Sequence, residues 1–81
     1  MKIVIIRDIK ANAYGNPIFV NSLGGAVRSF GDEVSKTDGN PIATHPEDFE
    51  LYYAGDFEPE TGEFTIRQKF EQIALASNYK S

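Results

Sequence analysis

The chain contains no cysteine and no tryptophan, and it has a single histidine and a single methionine. Without cysteine there is no disulfide scaffold, no iron–sulfur site and no thiolate zinc site, so stability must come from packing. Long apolar runs are also missing. None approaches the roughly 18 residues of a membrane span, and no signal-peptide core precedes a small-residue cleavage site. A cytoplasmic protein with no membrane partner is the expectation. Basic residues are scarce, with eight Lys and Arg against twelve Asp and Glu and a net charge of −4. That balance works against bulk electrostatic attraction to nucleic acid.

What is present suits one soluble domain spanning residues 1–81, with 41% hydrophobic and 25% charged residues. A domain this small buries only roughly 60% of its unfolded surface, so its stability is marginal and oligomerisation would help it.

Turn-forming residues punctuate the chain at Asn12–Pro17, Thr37–Pro41 and Pro59–Gly62. Lys2–Ile9 is β-branched and apolar on both faces, which predicts a central strand covered on both sides. Ile18-Phe19-Val20 is a second strand able to pair with it. Leu23, Ala26, Val27, Phe30 and Val34 fall at helical spacing, which predicts a helix from Leu23 to about Lys36 with Asn21 or Ser22 as its cap. Phe49–Phe57 reads as a strand with Leu51, Tyr53 and Phe57 on one face and Glu50, Tyr52 and Asp56 on the other. Pro59–Gly62 makes a hairpin turn with Gly62 at positive φ, followed by a return strand over Glu63–Arg67. From Lys69 to Tyr79 the spacing of Phe70, Ile73 and Ala74 predicts a short helix. The sum is an α+β domain: a mainly antiparallel sheet of three or four strands, with one principal helix (about 22–36) packed on it.

Catalytic and metal constellations do not assemble. His45 has carboxylates nearby in Glu47 and Asp48 but no nucleophile and no second histidine. Its segment reads as a turn capped by Thr44, with Pro46 near the start and the two acids complementing the N-terminal dipole. The acidic series Asp56, Glu58, Glu60, Glu63 fails as a calcium loop. Counting from Asp56, the sixth position holds Thr61 where glycine is required, and the twelfth holds Arg67 where a bidentate Glu is required. Gly24-Gly25 has no Lys-Ser or Lys-Thr after it, and close packing of the helix explains the pair as well as a phosphate cradle does. A protein without enzymatic activity and without cofactors is the expectation.

Charge is nevertheless unevenly distributed. From Met1 to Gly31, Lys2, Arg7, Lys10 and Arg28 are opposed only by Asp8, and acids dominate from Asp32 onward. Tyr14 lies beside that basic segment, and Tyr52 and Tyr53 lie on a strand. Aromatic rings with a few cations are how single strands are held without sequence readout. The candidate DNA-binding residues are Arg7, Lys10, Tyr14 and Arg28, with Arg67 and Lys69 as an extension. A solvated surface with core tyrosines accounts for the same residues.

Asp8-Ile9-Lys10-Ala11 with Tyr14, then Ala26-Val27-Arg28-Ser29-Phe30, then His45-Pro46-Glu47-Asp48-Phe49 with Leu51, then Gly55-Asp56-Phe57 leading to Thr61-Gly62-Glu63-Phe64, occur in this order. Together they resemble the small nonstructural protein of the gokushovirus branch of the Microviridae, bacteriophages with circular single-stranded DNA. The resemblance extends to Phe64; the tail departs from it, with Ala74-Leu75 and Asn78-Tyr79 where a Leu-Gly pair and acidic-aromatic residues are expected. It implies a nonstructural protein in the cytoplasm of the infected bacterium, bearing on the switch from duplex replication to single-stranded DNA synthesis and packaging. Two functions are compatible with it. One is binding of single-stranded DNA. The other is docking, without DNA, on the replication-initiation protein, a host replication factor or the procapsid, favoured by the net negative charge and the acidic hairpin. Self-association is compatible with either.

Overall fold

The computed structural model describes residues 1–79. The apolar segment after Met1 forms strand β1 (Lys2–Asp8) at the centre of the sheet. One edge of β1 pairs with two short strands, β2 (Ala13–Tyr14) and β3 (Ile18–Val20), and the other edge with β4 (Phe49–Glu58). A long strand β5 (Glu63–Leu75) completes the antiparallel sheet outside β4. Helix α1 (Leu23–Val34) lies on one face, and the short helix α2 (Pro41–Thr44) follows it. The α+β architecture is therefore the expected one, with five strands in the sheet among the described residues.

Strand β2 falls inside a stretch that reads as a turn, because the turn itself is so tight. Asp8 Oδ1 accepts from the Ala11 amide at 3.1 Å, and Asn12 takes a positive φ of 54°. That geometry reverses the chain quickly enough for Ala13 and Tyr14 to pair back onto Asp8 and Arg7.

Ser22 caps α1 by accepting from the Gly25 amide at 3.0 Å. The helix ends at Val34 rather than Lys36, where the Lys36 amide closes onto the Glu33 carbonyl three residues back instead of continuing the four-residue ladder. Ala26, Phe30 and Val34 face the sheet and pack with Val4, Leu51, Ala74 and Ala76. Gly24 and Gly25 are both exposed, so close helix packing is not their role. The close approach occurs at Gly31, where a β-carbon would sit 2.9 Å from the Tyr79 ring.

Two expectations about the long strands fail, and both fail at bulges. Val4 pairs with Tyr53 but Ile3 pairs with Gly55, leaving Ala54 as an extra residue in β4. The alternation therefore flips. Tyr53 stays with Val4 and Leu51 on the helix side, whereas Phe57 joins Ile3 on the opposite face and Asp56 pairs with Lys2. Gly55 permits this, because a β-carbon there would collide with the Thr65 carbonyl of β5.

The second failure is the helix expected over Lys69–Tyr79. Strand β5 continues to Leu75, and only Ala76–Tyr79 winds into a 3₁₀ turn. Its register shifts twice. Arg67, Gln68, Lys69 and Phe70 stand opposite Ala54 alone, and Ile73 is extra between Gln72 and Ala74. Ile73 and Ala74 consequently pack on the same apolar cluster. A bulged strand thus mimics helical spacing, and pairing with β4 overrides the local pattern.

The sheet has apolar residues on both faces. On the side away from α1, Ile3, Ile5 and Ala54 form a second buried cluster with Tyr52, Phe57 and Phe70 packed on it. β1 is covered on both sides as expected, but on this side the cover is made of the sheet's own aromatic side chains.

Candidate functional site

The alternation of β1 directs Arg7 to the face that carries Ile3 and Ile5, and the β1–β2 register sets Tyr14 directly opposite it. The Arg7 guanidinium carbon lies 5.9 Å from the Tyr14 ring centre. Tyr14 meets Tyr52 and Phe70 edge-on, at centroid distances of 6.0 and 5.8 Å. It remains 50% exposed. One guanidinium and three aromatic rings therefore converge on one corner of the open sheet face.

Polar contacts hold that corner in place. Arg7 Nη2 donates to Asn12 Oδ1 at 3.0 Å, and Arg7 Nη1 stands 3.8 Å from Glu50 Oε1. Glu50 accepts from the Tyr52 hydroxyl at 2.8 Å and from Gln72 Nε2 at 2.6 Å. The Tyr52 hydroxyl, donating to a carboxylate and partly desolvated, titrates above the ordinary tyrosine range. Arg7 is only loosely engaged by Glu50, which leaves donors free for an incoming anion.

The other sequence candidates lie elsewhere. Lys10 is exposed in the turn after β1, on the rim of a depression shared with Asp8, His45, Glu47 and Asp48. Arg28 is exposed on the outer surface of α1, the helix that covers the opposite side of the sheet. Arg67 lies over the Tyr53 ring at 4.9 Å, on the helix-side face, and stands 3.7 Å from Glu71. Lys69 is exposed within the β5 bulge. Of the six candidates, only Arg7 and Tyr14 are in contact. Lys10, Arg28 and Lys69 pair with no carboxylate among the described residues.

Tyr53 belongs to a different polar group. Its hydroxyl donates to Asp56 Oδ2 at 2.6 Å, and Lys2 Nζ lies 2.8 Å from Asp56 Oδ1. Lys2 holds the Asp56 carboxyl below its ordinary range, with Tyr53 assisting, and Asp56 in turn raises Lys2. His45, Glu47 and Asp48 do come together, with ligand atoms within 4.8 Å of one another, but the side chains of His45 and Glu47 are 65% and 66% exposed. Thr44 does not cap their turn as the sequence suggests. It closes α2, its hydroxyl donating to the Asn40 carbonyl at 3.2 Å, while Asn40 supplies that helix's cap.

Phe70 escapes the sequence reading because its segment is read as helix, and Phe57 because the β4 bulge reverses its face. Phe57, Phe64 and Phe19 form a second aromatic group on the open face, with Phe57 and Phe64 4.7 Å apart and Phe19 within 5.6 Å of Phe57. Between α1 and the sheet a cavity of about 340 Å³ is lined by Val4, Ile6, Ile18, Phe30, Ile42 and Leu51 among others.

Compared with known families, the chain matches the Phage ORF5 protein family over residues 1–79. It belongs to that family. No curated protein and no solved structure matches it. Membership of the Phage ORF5 family makes this a phage accessory protein, and the open-face corner at Arg7 and Tyr14 is its best-assembled candidate site. Among the described residues of this family member, no helix is long and apolar enough to cross a membrane.

Proposed function

We propose that this phage accessory protein is a non-enzymatic factor that binds single-stranded DNA in the cytoplasm of the infected host, during viral genome synthesis and packaging. The gokushovirus resemblance supplies the biological setting, with viral or host replication and packaging proteins as neighbours. The observation that carries the reading is the contact of Arg7 with Tyr14 beside Tyr52 and Phe70 on an uncovered sheet face. Rings at that position stack on bases, and Arg7 neutralises a phosphate, a combination that grips single strands without reading sequence. Duplex DNA offers no unstacked base to such a corner.

The test is fluorescence anisotropy with labelled single-stranded and duplex oligonucleotides at two salt concentrations. Preference for the single strand, weakening with salt, is expected. Absence of binding at low salt, or equal affinity for duplex, defeats the reading.

A second reading is protein docking without DNA, on the replication-initiation protein, a host replication factor or the procapsid. It is favoured by the exposed hairpin between β4 and β5, where Glu58, Glu60 and Glu63 carry no ion pair among the described residues. A nuclease-resistant complex with the replication protein, lost when Glu58 and Glu60 are neutralised, would favour it.

A further inference from the structure

The outer edge of β5 pairs with no strand among the described residues. Free edges are usually blunted by bulges, lysines or prolines. From Arg67 to Phe70 this edge is blunted, by the bulge opposite Ala54 and by Lys69. Between Glu63 and Ile66 it is not. That stretch pairs regularly with Gly55–Glu58, and its Phe64 and Ile66 are 56% and 57% exposed.

Backbone bonds fix which groups of this stretch face outward. The Met1 amino group donates to the Phe57 carbonyl at 2.6 Å, and the Phe57 amide donates to the Met1 carbonyl at 2.8 Å. Phe57 therefore directs both backbone groups toward β1. Hydrogen-bonded and non-hydrogen-bonded pairs alternate along an antiparallel ladder. Phe64, directly opposite Phe57, and Ile66, two residues on, consequently turn their N–H and C=O away from β4.

Side chains alternate along the same stretch. Phe64 and Ile66 lie on the open face with Phe57, whereas Glu63 lies on the other face, directly opposite Glu58. Directly opposed like charges repel, and neither carboxylate has an ion pair among the described residues. The neighbouring charges on that face are already matched, Lys2 with Asp56 and Arg67 with Glu71. The edge is thus apolar on one face and anionic on the other.

From this we infer that the Glu63–Ile66 edge accepts an extended segment of a partner protein in which basic and apolar residues alternate. The segment adds antiparallel, as a further strand outside β5. Its residues opposite Phe64 and Ile66 are apolar, and those between them are Lys or Arg, set beside Glu58 and Glu63. Charge complementarity selects this occupant. A phosphate backbone, or a second copy of this chain at net −4, would add negative charge to the same place. A strand this short buries less than the about 1,200 Å² of stable interfaces, so the contact is transient. The inference rests on the protein-docking reading and is independent of DNA binding at Arg7 and Tyr14.

The probe is a synthetic peptide of alternating lysine and valine, labelled for fluorescence anisotropy and titrated with the full chain at low and high salt. It should bind, and raised salt should weaken it. A glutamate–valine peptide should not bind. Methylating the valine amides, which face β5, should abolish binding, and methylating the lysine amides, which face away, should leave it unchanged. Glu58→Gln combined with Glu63→Gln should weaken binding and flatten its salt dependence, with an unchanged circular dichroism spectrum. No binding of the lysine–valine peptide, equal binding of the glutamate–valine peptide, or equal loss from the two methylations overturns the inference. So does self-association or oligonucleotide binding that is lost in a folded Ile66→Ser chain, because the edge would then belong to that occupant. Peptide failure alongside a nuclease-resistant complex with the replication protein defeats this inference and leaves docking standing; peptide binding without that complex does the reverse.

Discussion

Arg7 lies across the ring of Tyr14, 5.9 Å from its centre, because the β1–β2 turn sets the two residues directly opposite one another in the ladder. Directly opposed pairs are the closest side-chain neighbours a sheet offers. The pair stands on the face that α1 leaves uncovered, so a ligand can reach both groups at once. The same turn fixes its geometry, through Asn12 at positive φ and its side-chain bond to Arg7.

A graded response at this pair is expected if it holds single-stranded DNA. Tyr14→Ala should weaken binding more than Tyr14→Phe, since stacking needs the ring and not the hydroxyl, and loss of one stacked base costs about 1–3 kcal/mol. Arg7→Ala should flatten the dependence of log affinity on log salt by about 0.7, the value for one phosphate contact on a single strand. Anisotropy titrations across a salt series check both. An Arg7→Ala slope equal to wild type removes Arg7 from the phosphate contacts.

The β4 bulge depends on Gly55, and alanine there has nowhere to go. Its β-carbon would meet backbone, the Thr65 carbonyl, which cannot swing aside as a flexible side chain does. Gly55→Ala should destabilise the fold by about 1–3 kcal/mol, as overpacking does. The urea midpoint reports it. A midpoint equal to that of wild type would show that β5 shifts freely against β4.

The bulges also explain how far the sequence could be read. α1 was legible because one unbroken run from Leu23 to Val34 serves a single face, and β1 because every residue of Ile3–Ile6 is apolar. The hairpin was legible from Pro59–Gly62, where Gly62 takes a φ of 74°. Phe57 and Phe70 were not, because a bulge breaks the period of two on which face assignment rests. No local residue signals that Ala54 must face Arg67 through Phe70; the partner strand decides it. The candidate site shared this fate. Arg7 and Tyr14 could be picked out by type, but the placement of Arg67 on the helix side of the sheet follows only from the pairing.

The first turn of α1 contains two adjacent glycines with opposite expectations. A β-carbon at Gly24 meets nothing within 4 Å, so Gly24→Ala should stabilise by about 0.4–1 kcal/mol through the unfolded chain. At Gly25 the added carbon would crowd Ser22 Oγ at 3.0 Å, the atom that caps the helix. Gly25→Ala should gain less, or lose stability, as the cap is disturbed. Thermal melts of the two variants side by side measure the difference, and equal shifts would show that the cap tolerates the methyl group.

Lys2 and Asp56 link stability to pH at the hairpin end of the sheet. The folded state lowers the Asp56 pKa from its ordinary 3.8, chiefly through the hydrogen bond from Lys2. A depressed carboxylate contributes stability that is present above pH 3.8 and lost as pH falls through the lower folded value. Lys2 is raised above 10.5, chiefly by Asp56, so its share is present below that pH and lost as pH rises through the folded value. Both groups are exposed, so the contribution is small and screened by salt. Asp56→Asn should therefore reduce the urea midpoint slightly at neutral pH and narrow the gap to wild type on acidification below 3.8. A gap that stays constant from neutral pH down through that range would mean the carboxylate's charge is not what the pair contributes.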